Sequence, residues 1–308
     1  MRVIHSIESA GPDQDVVLTI GTFDGVHRGH QHLLNALVER ARQTRRLSAA
    51  LTFHPHPRTL LQPQHHTSYL STPDERAEIM AQLGLDLLVL LPFSQRLAET
   101  PAEPFVRLLA NWLRMRELWV GADFALGSQR EGDTTHLQQL AESVGFSLRV
   151  VQPLIDEQGV VSSTRIRKSL VRGDMAETTR LLGRPYTIDG NVVHGAQRGR
   201  TMGFRTANLR IAPNRAAPPN GVYAIWGWVN GRRWPGVANL GIRPSFDAGE
   251  RLIEVHLLGY HGDLYGTTLR VAFVRFLRPE MRFEGPSQLA DQIAQDVQTA
   301  KAALGLET

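Results

Sequence analysis

No cysteine occurs anywhere in the chain, which excludes disulfides, cysteine-held zinc and thiol catalysis. Long apolar runs are missing too. The stretch Leu87 to Leu91 is far shorter than the roughly 20 residues that a membrane-spanning helix needs. No basic start leads into an apolar segment, so export is not expected and the cytoplasm is the expected compartment. Neither sign of charge dominates: 34 Lys and Arg against 30 Asp and Glu leave a net charge of +4. That balance does not call for nucleic acid, and it suits ATP and phosphorylated small molecules. Repeats and low-complexity segments are absent, and nothing indicates an obligate protein partner. What is present is globular in composition: 42% hydrophobic and 21% charged over 308 residues, enough for two domains.

The first half alternates two periods. Apolar strand patterns fall at 16–20, 48–53, 85–91, 117–121 and 147–151. Helical patterns lie between them at about 30–43, 73–83, 102–113 and 134–145. Thr72-Pro73-Asp74-Glu75 offers a capping threonine, a first-turn proline and a glutamate to complete a capping box. Strict alternation predicts an α/β doubly wound parallel sheet, whose ligands bind at the carboxyl ends of the strands.

The unusual residues of this half lie at those ends. Gly21-Thr22-Phe23-Asp24-Gly25-Val26-His27-Arg28-Gly29-His30-Gln31 joins the strand at 16–20 to a helix. The first amides of a helix have no internal partner and the helix dipole favours an anion there, so this turn suits the phosphates of a nucleotide. Gly29 lets the backbone approach a phosphate. His27 and His30 can donate hydrogen bonds to a phosphorus centre that gains negative charge. Phe53-His54-Pro55-His56-Pro57 follows the second strand; its two prolines predict an extended loop lining the pocket, although a His-x-His pair can also bind metal. In Gly121-Ala122-Asp123-Phe124, Asp123 either contacts a base, ribose or flavin or caps a turn. Ser162-Ser163-Thr164-Arg165-Ile166-Arg167 sets hydroxyls at a helix start one turn before arginines, a way to hold pyrophosphate. In isolation it also reads as an ordinary helix cap with a solvated basic face.

From Tyr186 onward the helical period gives way to short strand patterns and glycine turns. Residues 221–229 lead into Asn230-Gly231, a hairpin signal. Further strands are predicted at 233–238, 251–258 and 269–277, with a last helix at about 287–303. That pattern predicts a small antiparallel β-barrel domain with a C-terminal helix, and a boundary near Gly183-Arg184-Pro185. Trp226, Trp228, Phe273 and Phe276 are expected to be packed, which weighs against a barrel that grips RNA through exposed aromatics. Thr206 and Asn208, two residues apart, offer neutral oxygens to a magnesium ion on ATP phosphates. Glu254 falls on the face opposite Ile253, Val255 and Leu257.

The set Gly-x-Phe-Asp-Gly-x-His-x-Gly-His-Gln, Pro-His-Pro, Gly-x-Asp-Phe and Ser-Ser-Thr-x-Ile-Arg resembles the FAD synthetase domain of the bacterial bifunctional riboflavin kinase/FAD synthetases across 1–185. The glycine-rich start, Gly190-Asn191-Val192-Val193-His194-Gly195 leading into Gly199-Arg200-Thr201-Met202-Gly203-Phe204-Arg205-Thr206-Ala207-Asn208, resembles the riboflavin kinase domain. So do Gly221-Val222-Tyr223-Ala224, Ala238-Asn239-Leu240-Gly241-Ile242-Arg243-Pro244, Glu254-Val255-His256-Leu257-Leu258 and Gly262-Asp263-Leu264-Tyr265-Gly266, so that the likeness spans 186–308. The resemblance implies a nucleotidyltransferase domain that adenylylates FMN to FAD and a second domain that phosphorylates riboflavin to FMN. ATP is the co-substrate, magnesium the cofactor, and flavin both substrate and product. It further implies that Gly21, Phe23, His27, Gly29 and His30 serve the ATP of adenylyl transfer. Ser163, Thr164 and Arg167 would clamp its β- and γ-phosphates, and Asp24, His56 and Asp123 would line the flavin or nucleotide pocket. In the kinase domain Gly195, Gly199, Gly203, Thr206 and Asn208 would hold magnesium-ATP, with Glu254 as base. Arg205 stands where the family usually has proline, which should loosen the ATP loop. A rival reading keeps the nucleotidyltransferase but gives it another phosphorylated acceptor and an accessory barrel.

Overall fold

The computed structural model describes residues 1–9, 11–64, 68–193, 206–212, 214–242 and 251–306. The chain forms two compact units, Met1–Ser163 and Thr164–Thr308.

In the first unit six strands form one sheet: β1 (Arg2–Ile4), β2 (Val16–Ile20), β3 (Leu47–His54), β4 (Leu87–Pro92), β5 (Met115–Gly121) and β6 (Ser147–Val151). Their order is β1-β4-β3-β2-β5-β6, and every neighbouring pair is parallel. The helices are α1 (Arg28–Gln43), α2 (Pro73–Gln82), α3 (Ala102–Trp112) and α4 (Thr134–Val144). On one sheet face α1 packs Leu34, Leu37 and Val38 with Val17, Leu88 and Trp119. On the other, Val106 of α3 and Leu137 of α4 share a core with Leu18 and Val120. Burial on both faces is why β2 has no exposed residue. The strand order reverses between β2 and β5, and the crevice above that switch point is where such sheets bind ligands.

The predicted elements are present with ends shifted by a residue or two. β4 starts at Leu87 because Asp86 is occupied otherwise: its carboxylate accepts from the Ser48 amide at 2.9 Å and the Ser48 hydroxyl at 2.7 Å. The capping box of α2 is formed in both directions, Glu75 N to Thr72 Oγ1 at 3.2 Å and Thr72 N to Glu75 Oε2 at 2.8 Å. One local expectation fails. The Pro-His-Pro segment is not extended throughout, because Pro57 opens a short helix, Pro57–Leu61, capped by His56 Nδ1 accepting from Arg58 N at 3.1 Å. A proline at a helix start already has the required φ and lacks a donor that would go unused. The short strand β1 escaped the periodicity because three residues carry too little pattern.

The second unit begins with α5, which starts at Ser163 and runs to Val171, and α6 (Met175–Leu182). The strands β7 (Tyr186–Val193), β8 (Ala207–Arg210), β9 (Gly221–Val229), β10 (Arg232–Ile242), β11 (Arg251–Leu257) and β12 (Thr268–Arg278) follow. They close a barrel in the order β7-β8-β11-β10-β9-β12, with β12 antiparallel to β7. The β9–β10 hairpin turns at Asn230 and Gly231, with φ of 51° and 76°, the left-handed pair that a two-residue loop needs. The final helix, α7 (Pro286–Ala303), buries Ala300 against Val222, Ala224 and Val237. Its Asp296 receives both arms of the Arg278 guanidinium, at 2.8 and 2.7 Å.

Phe273 is fully buried as expected, but Trp226, Trp228 and Phe276 are only half-buried. A guanidinium does part of the covering: Arg233 lies 4.1 Å over the Trp226 ring. Among the described residues no helix is long and apolar enough to cross a membrane.

Candidate functional sites

The turn after β2 is built by packing that overrides backbone preference. Phe23 and Val26 take φ of 47° and 38°, left-handed values that are uncommon for any side chain and outlying for a β-branched one. Both are buried. Such strain, of order 1–3 kcal/mol per residue, persists only where surroundings enforce it. Here Asp24 does so. Its carboxylate, 1% exposed, accepts from the amides of Leu70 and Ser71 at 3.0 and 3.1 Å. The Ser71 hydroxyl also receives the Gly25 amide at 2.8 Å. Asp24 therefore ties the turn to the segment before α2. Within the same unit, the hydroxyl of Ser163 donates to the Asp24 carbonyl at 2.9 Å.

His27 caps α1, its Nδ1 accepting from the His30 amide at 3.3 Å. The two imidazoles stack with centroids 3.6 Å apart, and the Phe23 ring meets His30 edge-on at 5.2 Å. His30 Nδ1 is enclosed without a hydrogen-bond partner. Burial, with the nearby His27 and Arg76 charges adding to it, holds the His30 imidazole well below its ordinary pKa. At neutral pH the ring is therefore uncharged, a donor rather than a cation. Gly29 leaves little room for a side chain, since a Cβ would sit 3.1 Å from the His27 ring and 3.2 Å from the Val161 carbonyl. A Cβ on Gly21 would meet the Phe23 ring at 3.1 Å.

One residue of this site went unread in the sequence. Arg76, 3% exposed, donates through Nη1 to the Thr22 carbonyl at 2.7 Å and to Thr52 Oγ1 at 3.1 Å. It thereby links the ends of β2 and β3. Desolvation lowers its pKa, opposed by Asp24, Tyr69 and Glu75. The available signal was its spacing: Arg76 and Met80 occupy one buried face of α2 at i and i+4.

The remaining candidates of this half are less central in the fold. His56 caps its short helix and its amide hydrogen-bonds the Tyr69 hydroxyl at 3.2 Å. Asp123 is exposed in the turn after β5, where its carbonyl accepts from Arg130 at 3.0 Å. Thr164 and Arg167 continue α5 in the second unit.

In the barrel, Thr206, Asn208 and Glu254 converge. Asn208 on β8 stands opposite Glu254 on β11, and the Thr206 hydroxyl donates to Glu254 Oε1 at 2.9 Å. Residues two apart on an extended segment share a face, so Thr206 and Asn208 both look towards the glutamate. Hydroxyl, carboxamide and carboxylate make a hard-oxygen set that fits magnesium. Beside Thr206 a cavity of about 340 Å³ is lined by Ala207, Val255, Leu257, Tyr260 and His261 among others. The sequence reading did not single out Tyr260 or His261, which sit in an irregular loop without a periodic signal. Gly195, Gly199, Gly203 and Arg205 lie outside the described residues.

The FAD synthetase family model matches residues 10–165 and the riboflavin kinase family model matches 182–304. Bifunctional riboflavin kinase/FMN adenylyltransferase of Escherichia coli K12 is 38% identical over 99% of this chain and 98% of its own. The protein of the same description from Pseudomonas fluorescens is 38% identical, covering 98% of this chain and 97% of its own, and that from Bacillus subtilis is 34% identical over 92% and 91%. A solved structure described as a macrolide-efflux protein from Streptococcus pneumoniae has a TM-score of 0.89 at 30% identity, covering 97% of this chain and 98% of that one. That likeness carries the fold.

Proposed function

The chain belongs to the family of bifunctional riboflavin kinase/FMN adenylyltransferases, and we propose how its residues divide the two reactions. Riboflavin, FMN, FAD and ATP are the small molecules of this chemistry. The adenylyl transfer is assigned to residues 1–185 and the phosphorylation to 186–308. The helices between Ser163 and Leu182 belong to the first by motif and to the second by packing.

In adenylyl transfer an FMN phosphate oxygen attacks the α-phosphorus of ATP, and pyrophosphate leaves. His27 and His30, at the amino end of α1, hydrogen-bond the α-phosphate region as its charge grows. Gly21 and Gly29 keep the backbone clear for it, and Phe23 fixes the His30 ring. Ser163 anchors the start of α5; it is proposed with Thr164 and Arg167 for the β- and γ-phosphates. His56 and Asp123 are proposed for the flavin or nucleotide pocket. Asp24, proposed there too, acts by shaping the turn rather than by offering a free carboxylate.

In phosphorylation the riboflavin 5′-hydroxyl gives its proton to Glu254 and attacks the γ-phosphorus, with ADP leaving. Thr206 and Asn208 would hold a magnesium ion, which when bound neutralises phosphate charge; the Thr206 hydroxyl also orients Glu254. Gly195, Gly199 and Gly203 are proposed for the ATP loop, which Arg205 would leave looser than proline. We place the enzyme in the cytoplasm, without a nucleic-acid or obligate protein partner.

The observation that carries this division is that each unit holds its own polar constellation. Imidazoles meet a helix start in one, and a carboxylate meets magnesium-type oxygens in the other. Incubation with riboflavin, ATP and magnesium, followed by chromatography, should yield FMN first and FAD after it. Failure to form FMN from riboflavin together with failure to form FAD from supplied FMN would favour the rival reading, another acceptor with an accessory barrel.

A further inference from the structure

The phosphorylation site contains a residue that none of these roles uses. Asn239 on β10 stands opposite Glu254 on β11, just as Asn208 does on the other side. Opposed side chains of antiparallel strands share a face, with Cβ atoms about 4.5–5.5 Å apart. Asn208, Glu254 and Asn239 therefore form one row across three strands. The next position in the row, Val222 on β9, is apolar and packed with Ala300 of the final helix. The directly opposed residue on that side therefore offers Asn239 no hydrogen bond. Its carboxamide oxygen is enclosed and has no hydrogen-bond partner among the described residues. Folded proteins keep few such acceptors, and each needs an explanation.

Spacing decides which ligand it serves. Asn208 and Asn239 are separated by two strand spacings, about 9–10 Å. A magnesium ion binds oxygen at about 2.1 Å, so an ion held by Thr206 and Asn208 cannot also touch Asn239. Phosphate oxygens carry no proton to donate. The flavin substrate does: its ribityl chain bears further hydroxyls next to the one that is phosphorylated. We propose that Asn239 is a substrate-positioning residue of the kinase site, its carboxamide oxygen accepting a hydrogen bond from a ribityl hydroxyl adjacent to the attacking one. Glu254 then sits between a metal side, with Thr206 and Asn208, and an acceptor side, with Asn239. This rests on the reading of Glu254 as base.

The test is steady-state phosphorylation of riboflavin and of its 2′-, 3′- and 4′-deoxy analogues by the parent and Asn239→Ala. The parent should lose about 10–100-fold in kcat/KM with at least one analogue, as expected when a buried acceptor is left unpaired. Asn239→Ala should lose a similar factor with riboflavin and no longer discriminate against that analogue. Its magnesium requirement and its FAD formation from FMN should match the parent. Its melting temperature should be equal or higher, because an orphaned acceptor has been removed. A structural asparagine would instead lower the melting temperature and leave discrimination intact, and either result overturns the proposal. A tenfold change in magnesium requirement would also overturn it, by making Asn239 a metal ligand. Failure of the Glu254 reading is seen separately, as full kinase activity in Glu254→Gln.

Discussion

Glu254→Gln separates chemistry from architecture, because the structure bounds what the substitution can disturb. Ile253, Val255 and Leu257 fill the barrel interior, while Glu254 is half-buried on the opposite face. The Thr206 hydroxyl donates to its Oε1 at 2.9 Å. Glutamine keeps an Oε1 that can accept this bond, so for this contact the loss is the difference between a charged and a neutral acceptor. That difference is about 1 kcal/mol. At about 1.4 kcal/mol per tenfold, misplacement from this source slows the reaction by less than about tenfold. Loss of a general base costs about two to four orders of magnitude. The two causes therefore predict rates that do not overlap. We expect FMN production from riboflavin to fall at least a hundredfold, measured by chromatography under saturating magnesium-ATP. FAD production from supplied FMN should stay near the parent rate, and the melting temperature should change little. Riboflavin phosphorylation within tenfold of the parent would remove Glu254 as the base.

Replacing His30 by Ala should leave riboflavin phosphorylation intact and reduce FAD formation by about two to three orders of magnitude, the usual cost of one lost transition-state donor; equal loss of both activities would contradict two separate sites. Burial lowers the His30 pKa below the 6.5 expected of the unfolded chain, so its neutral form is favoured by folding and stability is lost as pH falls below that value. Thermal unfolding followed from pH 7 to pH 5 should accordingly show a flatter slope for His30→Gln than for the parent. Arg76→Met strips the donor from the Thr22 carbonyl and Thr52 hydroxyl, and should destabilise the first unit by about 2–3 kcal/mol in denaturant unfolding; FAD formation should fall while phosphorylation persists. A fragment of residues 184–308 should fold and make FMN but no FAD. One of residues 164–308, which keeps α6 with the buried Leu181 and Leu182, should do the same at a higher melting temperature.

The parallel sheet was legible because its signals are local. Continuous burial of β2, the period of α1 and the capping box of α2 are each written within a few consecutive residues. Barrel closure is less local. The hairpin at Asn230-Gly231 announces β9 and β10, but the seam between β7 and β12 joins Tyr186 to Phe273, and no short pattern encodes that distance. The half-exposed Trp226 illustrates a related limit. Strand alternation assigns a residue to one of two faces, whereas the covering of the outer face depends on what else reaches it, here Arg233.

The same division runs through the sites. His27, Gly29 and His30 could be read from position alone, since a helix start fixes where their backbone points and the absent Cβ of Gly29 is a local property. Asp24 shows where position misleads. A carboxylate in a phosphate-type turn suggests ligand contact, yet its oxygens are taken by amides 46 and 47 residues away. Arg76 is the converse case. In sequence it is one charge among several at the start of α2, and its value appears only when Thr22 and Thr52 arrive from two strand ends. Asn239 belongs to this class as well, because its row with Glu254 across the barrel exists only through register. Residues proposed to touch the reacting phosphates lie in compact motifs. Those that hold the motifs in place, and those that would receive the ribityl chain, are assembled by pairing between distant segments. A search for such residues should therefore start from enclosed polar atoms without partners and from strand register.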